Sequence, residues 1–171
     1  MKQYGDLLVS VIANNTVITN LSLINRLDLL RKLFGNVYIS SEVYQELENG
    51  LNYGYSFLNH AKQIIEEEKW LLITSVEISE MNTFLELAES LHLGEASCIA
   101  IAQKRKWLFL TDDNDARHYA IMLNIALSGT IGVLRDSVYA GFITLNEGEK
   151  YHQIMVQRGY RSPIRKLKDA F

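Results

Sequence analysis

The stretch that decides the fold is Leu7-Leu8-Val9-Ser10-Val11-Ile12-Ala13, a short apolar and β-branched run followed directly by Asn14-Asn15-Thr16. A run of this length without polar alternation predicts a strand that is buried on both faces. Strands of this kind occur in parallel sheets whose two faces are covered by helices. We therefore expect a strand of an α/β protein here, with the polar residues after it at the edge of the sheet.

The segments that follow alternate between strand and helix patterns. Further strands are predicted at residues 37–39, 71–74, 107–110 and 125–127. Helices with one apolar side are predicted around residues 23–34, 40–50, 57–65, 81–91, 94–106, 116–123 and 131–142. Strands separated by helices of this length pair in parallel. The predicted fold class is a three-layer α/β/α structure with a central, mainly parallel sheet.

Composition excludes several classes of protein. The chain has 171 residues, enough for one domain with a sizeable core. Its single cysteine, Cys98, excludes an internal disulfide framework and a cysteine-based zinc site, and its apolar neighbours predict an inert, buried thiol. The four histidines show no i, i+4 pairing, which argues against a histidine metal site. No apolar run reaches the roughly 18 residues of a membrane span, and no basic-then-apolar leader precedes the first strand. We expect a cytoplasmic protein that does not enter the membrane.

Charge is distributed unevenly along the chain. The net charge is −3, but residues 158–171 contain five basic residues and one acid and carry +4, which leaves −7 on the rest. A basic segment of this kind binds phosphate or is a solvated terminus. We predict a main domain over residues 1–150 and a basic C-terminal extension over residues 151–171 that packs on it or trails from it.

Acidic side chains accumulate where the predicted strands end. Asp112 and Asp113 follow the strand at 107–110, while Glu46 and Glu95 belong to predicted helices beside apolar positions. Each alone has an ordinary explanation as a helix cap or a surface residue. If they converge, they shift one another's pKa values unless a cation neutralises them. Hard oxygen ligands of this type select Mg²⁺ or Mn²⁺ over zinc.

Four blocks of the sequence resemble the PIN-domain ribonuclease superfamily. They are residues 11–18 with 26–30, residues 37–47, residues 93–100 and residues 110–117. A fifth block, residues 129–134, matches a glycine-containing turn common in the prokaryotic VapC-like toxin branch. The resemblance extends over about residues 9–143, with the blocks in the expected order.

The resemblance implies a metal-dependent ribonuclease with Mg²⁺ or Mn²⁺ as cofactor. By position, the acids of the family correspond to Glu46, Glu95 and the Asp112/Asp113 pair, with Asp115 as an outer ligand. Which of Asp112 and Asp113 faces the metal is open at this point. The implied products are a 5′-phosphate and a 3′-hydroxyl.

Thr16 and the partners follow from the same resemblance, and two arginines are candidates because of their place along the chain. Thr16 matches the small hydroxyl residue beside the first acid. Arg117 and Arg135 flank the site, as phosphate ligands or as ordinary arginines on a helix surface. Members of the family are often the toxin of a toxin–antitoxin pair, which implies RNA as substrate, a small antitoxin protein as partner, and a homodimer.

The first acid of the family is replaced here by Asn14. An amide keeps a carbonyl oxygen as a ligand but lacks the negative charge, and it cannot act as a base. The loss is expected to weaken metal binding and slow cleavage. Either the chain is a naturally degenerate PIN fold kept for binding, or aspartate was changed to asparagine so that a toxic nuclease could be produced. The presence of the other acids and of Thr16 favours the second explanation.

Two rival functions are compatible with an α/β fold. One is a catalytically dead PIN-fold module that binds RNA or a protein partner through the same surface. The other is a receiver-like signalling domain, which is disfavoured because its acidic pair would follow the first strand. Here the pair Asp112/Asp113 follows the strand at residues 107–110.

Overall fold

A computed structural model describes residues 9–171 of the chain. Within this range, five strands form one sheet in the order β3-β2-β1-β4-β5, and every neighbouring pair is parallel. The strands are β1 (Val11–Ala13), β2 (Val37–Ser40), β3 (Leu71–Thr74), β4 (Leu108–Leu110) and β5 (Leu127–Ser128). Leu7 and Leu8, which belong to the predicted first strand, lie outside the described residues.

Nine α-helices connect and follow these strands within residues 9–171. They are α1 (Asn15–Leu23), α2 (Asp28–Phe34), α3 (Ser41–Asn52), α4 (Asn59–Gln63), α5 (Met81–Ala88), α6 (Leu93–Arg105), α7 (Asn114–Met122), α8 (Thr130–Tyr139) and α9 (Leu145–Gln157). Short 3₁₀ turns cover Ser56–Leu58, Ile78–Glu80 and Leu167–Ala170. No helix in the described part of the chain is long and apolar enough to cross a membrane.

The predicted three-layer α/β/α architecture is confirmed. The central strands β1 and β4 are completely buried, as expected for apolar runs covered on both faces. Helix α6 contacts β1, β2 and β4 and packs against α5 and α7. Helix α8 packs against α1, α2 and α9. One continuous core of aliphatic side chains joins sheet and helices.

The helix predicted around residues 23–34 is two helices in the structure. Helix α1 ends at Leu23, and α2 begins at Asp28. Between them Asn25 has a φ of 54°, in the left-handed region that asparagine tolerates better than most residues. The single-helix prediction was wrong because apolar spacing continued across this turn.

Three smaller expectations also differ from the structure. The apolar stripe at 57–65 is a 3₁₀ turn, the short helix α4 and a π-helical turn at Ile64–Glu68. Helix α6 begins at Leu93, one residue before Gly94, and β5 starts at Leu127 rather than at residue 125. Element ends are set by hydrogen bonds to neighbouring segments, which periodicity does not record.

The C-terminal segment packs on the rest of the chain. The expected boundary at residue 150 falls inside helix α9. Beyond this helix, Leu167 is completely buried and lies close to Gly148 of α9, where a Cβ atom would be 2.5 Å from it. The carboxylate of Glu149 accepts hydrogen bonds from the backbone N–H groups of Leu167 and Lys168 at 3.0 and 2.9 Å. The basic extension is therefore held to α9 by both apolar and polar contacts.

Candidate active site

The candidate site begins where the two central strands end. Strands β1 and β4 pair in parallel with Ala13 opposite Leu110, so Asn14 and Thr111 leave the sheet side by side. The N–H of Asn14 donates to the carbonyl of Leu110 at 2.8 Å. Ligands of open parallel sheets bind outside the carboxyl ends of the strands. The polar side chains at this edge are therefore the first candidates for ligand binding.

Asn14 uses both ends of its side-chain amide. Its Oδ1 accepts a hydrogen bond from the N–H of Asn15 at 2.7 Å and caps α1. Because this donor fixes the oxygen, the amide nitrogen points the other way and donates to the Thr111 hydroxyl at 3.2 Å. Asn14 is only 2% exposed. An aspartate could keep the cap, but it would lack the N–H donor to Thr111.

Glu46 reaches the site from helix α3. Its carboxylate approaches Gly94 so closely that a Cβ atom there would lie 2.4 Å from Glu46 Oε1. Burial raises the pKa of Glu46 above its usual range, although hydrogen bonds from the Gly94 backbone and the Asn15 side chain act in the opposite direction. A side chain at position 94 would thus force the Glu46 carboxylate to shift from its place beside α6.

Glu95 lies next to Gly94 in the first turn of α6 and is 9% exposed. Its Oε2 accepts a hydrogen bond from the N–H of His92 at 3.2 Å. The pKa of Glu95 is raised, first by burial and then by the negative charges of Asp113 and Glu46, against the opposing effect of His92. Asp113 and Glu46 therefore lie close enough to Glu95 for their charges to act on it, and we call these three residues the acid cluster below.

The structure separates the roles of Asp112 and Asp113. Asp113 caps helix α7 by accepting the N–H of Ala116 at 2.8 Å, and its charge acts on Glu95. Asp112 is engaged elsewhere. Its Oδ1 accepts from the N–H of Thr130 at 2.9 Å and from the hydroxyl of Tyr160 at 3.3 Å. Its Oδ2 accepts from the amide of Asn20 at 3.0 Å and from the Thr130 hydroxyl.

Asp112 therefore links several segments of the chain through its hydrogen bonds. Asn20 comes from α1, Thr130 from the start of α8 and Tyr160 from the segment after α9. Gly129 allows this arrangement, because a Cβ atom there would lie 2.6 Å from Asp112 Oδ1. Contacts with Asp112 raise the pKa of Tyr160, but burial is the larger cause. Sequence reasoning missed Asn20, Thr130 and Tyr160, since nothing in their spacing links them to residue 112.

The other predicted site residues lie at the same edge of the sheet with different partners. The hydroxyl of Thr16 accepts the N–H of Asp112 at 3.1 Å. Asp115 is exposed in the first turn of α7. Arg117 donates to the carbonyls of Thr111 and Ser128 at 2.9 and 3.3 Å, and Arg135 pairs with Asp136 at 2.9 Å. The two arginines therefore have partners within the chain.

These residues line a groove of about 1070 Å³ along the carboxyl edge of the sheet, called the main groove below. Its walls come from α1, from the segments before α7 and α8, and from residues 159–163 after α9. Asp113, Asp115, Arg117 and Arg135 all line it. The groove thus combines acidic and basic side chains and includes part of the C-terminal extension.

Comparison with known proteins identifies the family. The PIN domain model of the DUF3368 family matches residues 10–170. This chain belongs to the PIN-domain family. PIN domains are generally nucleases, and the match extends past the region of resemblance into the C-terminal extension.

Solved structures support the same fold for this PIN domain. The structure is similar to the crystal structure of PAE2754 from Pyrobaculum aerophilum, with a TM-score of 0.50 and 12% identity. The similarity covers 74% of this chain and 88% of that chain. At this identity the comparison bears on the fold alone. A comparison with curated proteins finds no match.

The acid cluster of this PIN domain has the chemistry of a hard-cation site. PIN domains typically use divalent metals, and carboxylate oxygens are the ligands that Mg²⁺ and Mn²⁺ prefer. Burial is the main cause of the raised pKa values of Glu46 and Glu95, and at Glu95 the negative charges of Asp113 and Glu46 add to it. Within residues 9–171, however, no three His, Cys, Asp or Glu side chains form a group ready to ligate one ion. The carboxylate donors of the acid cluster therefore fit a divalent ion in kind.

The stability of the PIN domain should depend on pH through Glu95. The folded state raises the pKa of the Glu95 carboxyl above its ordinary value of 4.5. Ionisation of Glu95 therefore lowers the stability of the folded state above pH 4.5, and this loss is absent at lower pH. We expect the Tm of Glu95→Gln, relative to the unsubstituted protein, to rise as the pH increases from 4.5 toward 7. Thermal unfolding in a metal-free buffer series measures this difference. The exposed Glu86→Gln is the control, and a Tm difference for Glu95→Gln that falls with pH would contradict the assignment.

Proposed function

We propose that this PIN domain is a metal-dependent endoribonuclease that hydrolyses RNA phosphodiester bonds at the acid cluster. Two observations support the proposal: the Glu46 carboxylate of α3 lies against Gly94, the residue before Glu95, and the negative charges of Asp113 and Glu46 both raise the pKa of Glu95. Maintaining mutually repelling, partly buried carboxylates costs stability. Such an arrangement is typical of a functional site that receives a cation.

The residues of the acid cluster, Asn14 and Asp112 would have different roles. Glu46, Glu95 and Asp113 would hold Mg²⁺ or Mn²⁺, and Asn14 would offer a neutral oxygen at the position of the first acid. A bound divalent ion supplies a nucleophile from water at neutral pH and stabilises charge on the phosphate. Asp112 positions Tyr160, which lines the main groove, and holds the buried Thr130 behind it through the hydrogen bonds described above. By analogy with the family, the products carry a 5′-phosphate and a 3′-hydroxyl.

We also propose a biological setting from the resemblance to the VapC-like branch. In that setting the protein is the toxin of a toxin–antitoxin pair, with RNA as substrate, a small antitoxin as partner and a homodimer as the active form. A neighbouring gene for a small protein that binds this chain and suppresses its toxicity is the expected finding. Light scattering of the purified chain measures the oligomeric state.

The nuclease proposal is tested by cleavage of a labelled single-stranded RNA with Mn²⁺ or Mg²⁺. We expect slow cleavage that stops in EDTA and in Glu95→Gln, because the variant removes a metal-binding charge but retains a similar shape. Glu86→Gln, a change of the same type at an exposed position on α5, should cleave at the rate of the unsubstituted protein. Cleavage that persists in Glu95→Gln would rule out the proposed site.

A second candidate function is a PIN-fold module that binds RNA or a protein without cutting. It is favoured by Asn14 and by the lack of a ready three-residue ligand group among residues 9–171. The two functions differ in their response to Asn14→Asp. A folded Asn14→Asp protein that binds RNA but does not cleave it with either metal would favour the binding module.

Gly94→Ala should weaken metal binding while lowering the stability of the fold only slightly. The new Cβ would lie 2.4 Å from Glu46 Oε1, so the carboxylate must move out of the acid cluster. The displaced group is the end of a flexible side chain, so we expect a stability loss near the lower end of the roughly 1–3 kcal/mol typical of overpacking. Titration with Mn²⁺, followed by the rise in Tm, should show the same loss of metal binding as Glu46→Gln. Undiminished Mn²⁺ binding by both Gly94→Ala and Glu46→Gln would exclude Glu46 as a ligand.

A further inference from the structure

A second cavity adjoins the acid cluster at Glu46. It has a volume of about 530 Å³ and is lined by Tyr53, Tyr55, Phe57 and Leu58, with Glu46 and Arg158 among its other lining residues. We call it the aromatic pocket. Because Glu46 belongs both to this pocket and to the acid cluster, an occupant of the pocket lies next to the proposed reaction centre.

The two tyrosines of the pocket contribute little to the core. Tyr53 is 83% exposed and Tyr55 is 55% exposed. The rings of Tyr55 and Phe57 are 5.9 Å apart and inclined by 34°, and Leu58 behind them is buried. Folding alone therefore gives no reason for two tyrosines at this place.

The backbone holds these rings in place. Gly54, between the two tyrosines, has a φ of 93°, a conformation that other residues rarely adopt. The N–H of Tyr55 donates to the carbonyl of Gly50 at 3.0 Å. Gly50 also gives the loop room, because a Cβ atom there would lie 2.8 Å from Leu58. The turn thus presents Tyr53 and Tyr55 from a defined backbone position.

Charge and continuity indicate what the pocket accepts. Arg158 lies at its edge, where its guanidinium donates to the carbonyl of Leu23 at 2.6 Å. Asn15 and Thr19 of α1 line both the aromatic pocket and the main groove, so the two cavities meet along this helix. A polymer crossing the acid cluster from the main groove would reach the aromatic pocket next. Exposed aromatic rings beside a cation match a nucleobase attached to a phosphate, because bases stack on rings and phosphates attract arginine.

We propose that the aromatic pocket is a nucleobase subsite, in which Tyr53 and Tyr55 stack with one unpaired base of the RNA strand and Arg158 contacts a neighbouring phosphate. This inference rests on the proposed function, since it takes RNA as the occupant. It adds a binding site outside the acid cluster and makes these tyrosines determinants of RNA affinity. A base within a duplex cannot enter, because its faces are already stacked.

The test compares two single-stranded oligomers of equal charge in EDTA, where cleavage does not interfere. One is a fluorescein-labelled hexaadenylate, and the other is the same ribose-phosphate chain without bases. Fluorescence anisotropy gives the Kd of each. The unsubstituted protein should bind hexaadenylate more tightly, by about tenfold for each ring that stacks. The Tyr53→Ala/Tyr55→Ala double variant should bind the two oligomers equally.

Two controls separate stacking from folding. Tyr53→Phe/Tyr55→Phe retains the rings and should keep the preference for hexaadenylate. Tyr139→Ala removes a tyrosine that is 66% exposed on α8 and lines neither cavity, so it should bind like the unsubstituted protein. The slope of affinity against salt should be the same for all four proteins, because none of the changes removes a charge.

The outcomes distinguish this inference from the nuclease proposal. If the double alanine variant keeps the preference for hexaadenylate, or if the unsubstituted protein shows none, the base subsite is wrong even where RNA is cleaved. If the preference depends on the tyrosine rings while neither Mn²⁺ nor Mg²⁺ supports cleavage, the subsite stands and the nuclease proposal fails.

Discussion

Arg105→Ala should lower the free energy of unfolding by about 3–5 kcal/mol, the range seen when one partner of a buried ion pair is removed. Glu80 is 1% exposed, and Arg105 donates to both of its oxygens, from Nε at 2.6 Å and from Nη2 at 2.9 Å. The guanidinium also donates to the Thr74 hydroxyl at 2.8 Å and lies 5.1 Å from the ring centre of Trp107. The variant therefore leaves a buried carboxylate without its main partner.

The effect of Arg105→Ala should be larger at neutral than at acidic pH. Burial alone would raise the pKa of Glu80, but hydrogen bonds from Arg105 and the Glu77 backbone outweigh it and hold the pKa below the usual 4.5. A lowered carboxyl pKa contributes stability above pH 4.5, and this contribution is lost as the pH falls through the folded-state value. Without Arg105, Glu80 can be protonated and the deficit shrinks in acid.

Urea unfolding followed by circular dichroism at pH 7 and pH 4 measures both parts of this prediction. The matched control is Lys104→Ala, an exposed cation in the same helical turn, for which we expect a change within about 0.5 kcal/mol. Adding Glu80→Gln to Arg105→Ala should recover part of the loss, because the buried group is then neutral. Equal effects of Arg105→Ala and Lys104→Ala would show that the ion pair does not stabilise the fold.

Asn14→Asp should tighten Mn²⁺ binding on the order of 100-fold and accelerate RNA cleavage. A unit charge about 4 Å from another contributes on the order of 4 kcal/mol at an effective dielectric constant of 20. Part of this gain is lost because the new carboxylate repels Glu95 and Asp113 when no ion is bound. About 1.4 kcal/mol corresponds to a tenfold change, so a net gain near 100-fold is expected.

The change in Tm caused by Asn14→Asp should have opposite signs with and without metal. In EDTA the extra charge adds to the repulsion that already raises the pKa of Glu95, so the Tm should fall. With Mn²⁺ the Tm should rise above that of the unsubstituted protein in the same buffer, because binding to the folded state stabilises it. Cleavage of labelled RNA is measured in parallel.

Two further variants identify the cause of any gain in Mn²⁺ affinity. Asn82→Asp places the same charge on an exposed residue of α5 that lines neither cavity, and it should leave Mn²⁺ affinity nearly unchanged. Asn14→Asp/Glu95→Gln should lose the gain, since it removes one acid as it adds another. Equal Mn²⁺ affinities for Asn14→Asp and the unsubstituted protein would show that position 14 does not contribute to the cation site.

The strands were predictable because their signal is local. The apolar run ending at Ala13 and the run ending at Leu110 each require burial on both faces, and such strands belong in the centre of a parallel sheet. The break at Asn25 was not predicted, because a left-handed residue leaves the apolar spacing around it intact. The C-terminal packing of Leu167 was equally hidden, since its partners lie in α8 and α9.

The same distinction between local and tertiary information applies to the candidate site. Residue type and order along the chain singled out Asn14, Glu46, Glu95 and the Asp112/Asp113 pair, because these polar groups interrupt or border apolar segments. Tertiary structure alone decided that Asp113 acts on Glu95, whereas Asp112 bonds Thr130 and Tyr160. It alone also brought Arg158 to the pocket that Glu46, Tyr53 and Tyr55 line. The physical reason is that local patterns determine which segments are buried, whereas the partner of a side chain depends on distances between segments far apart in sequence.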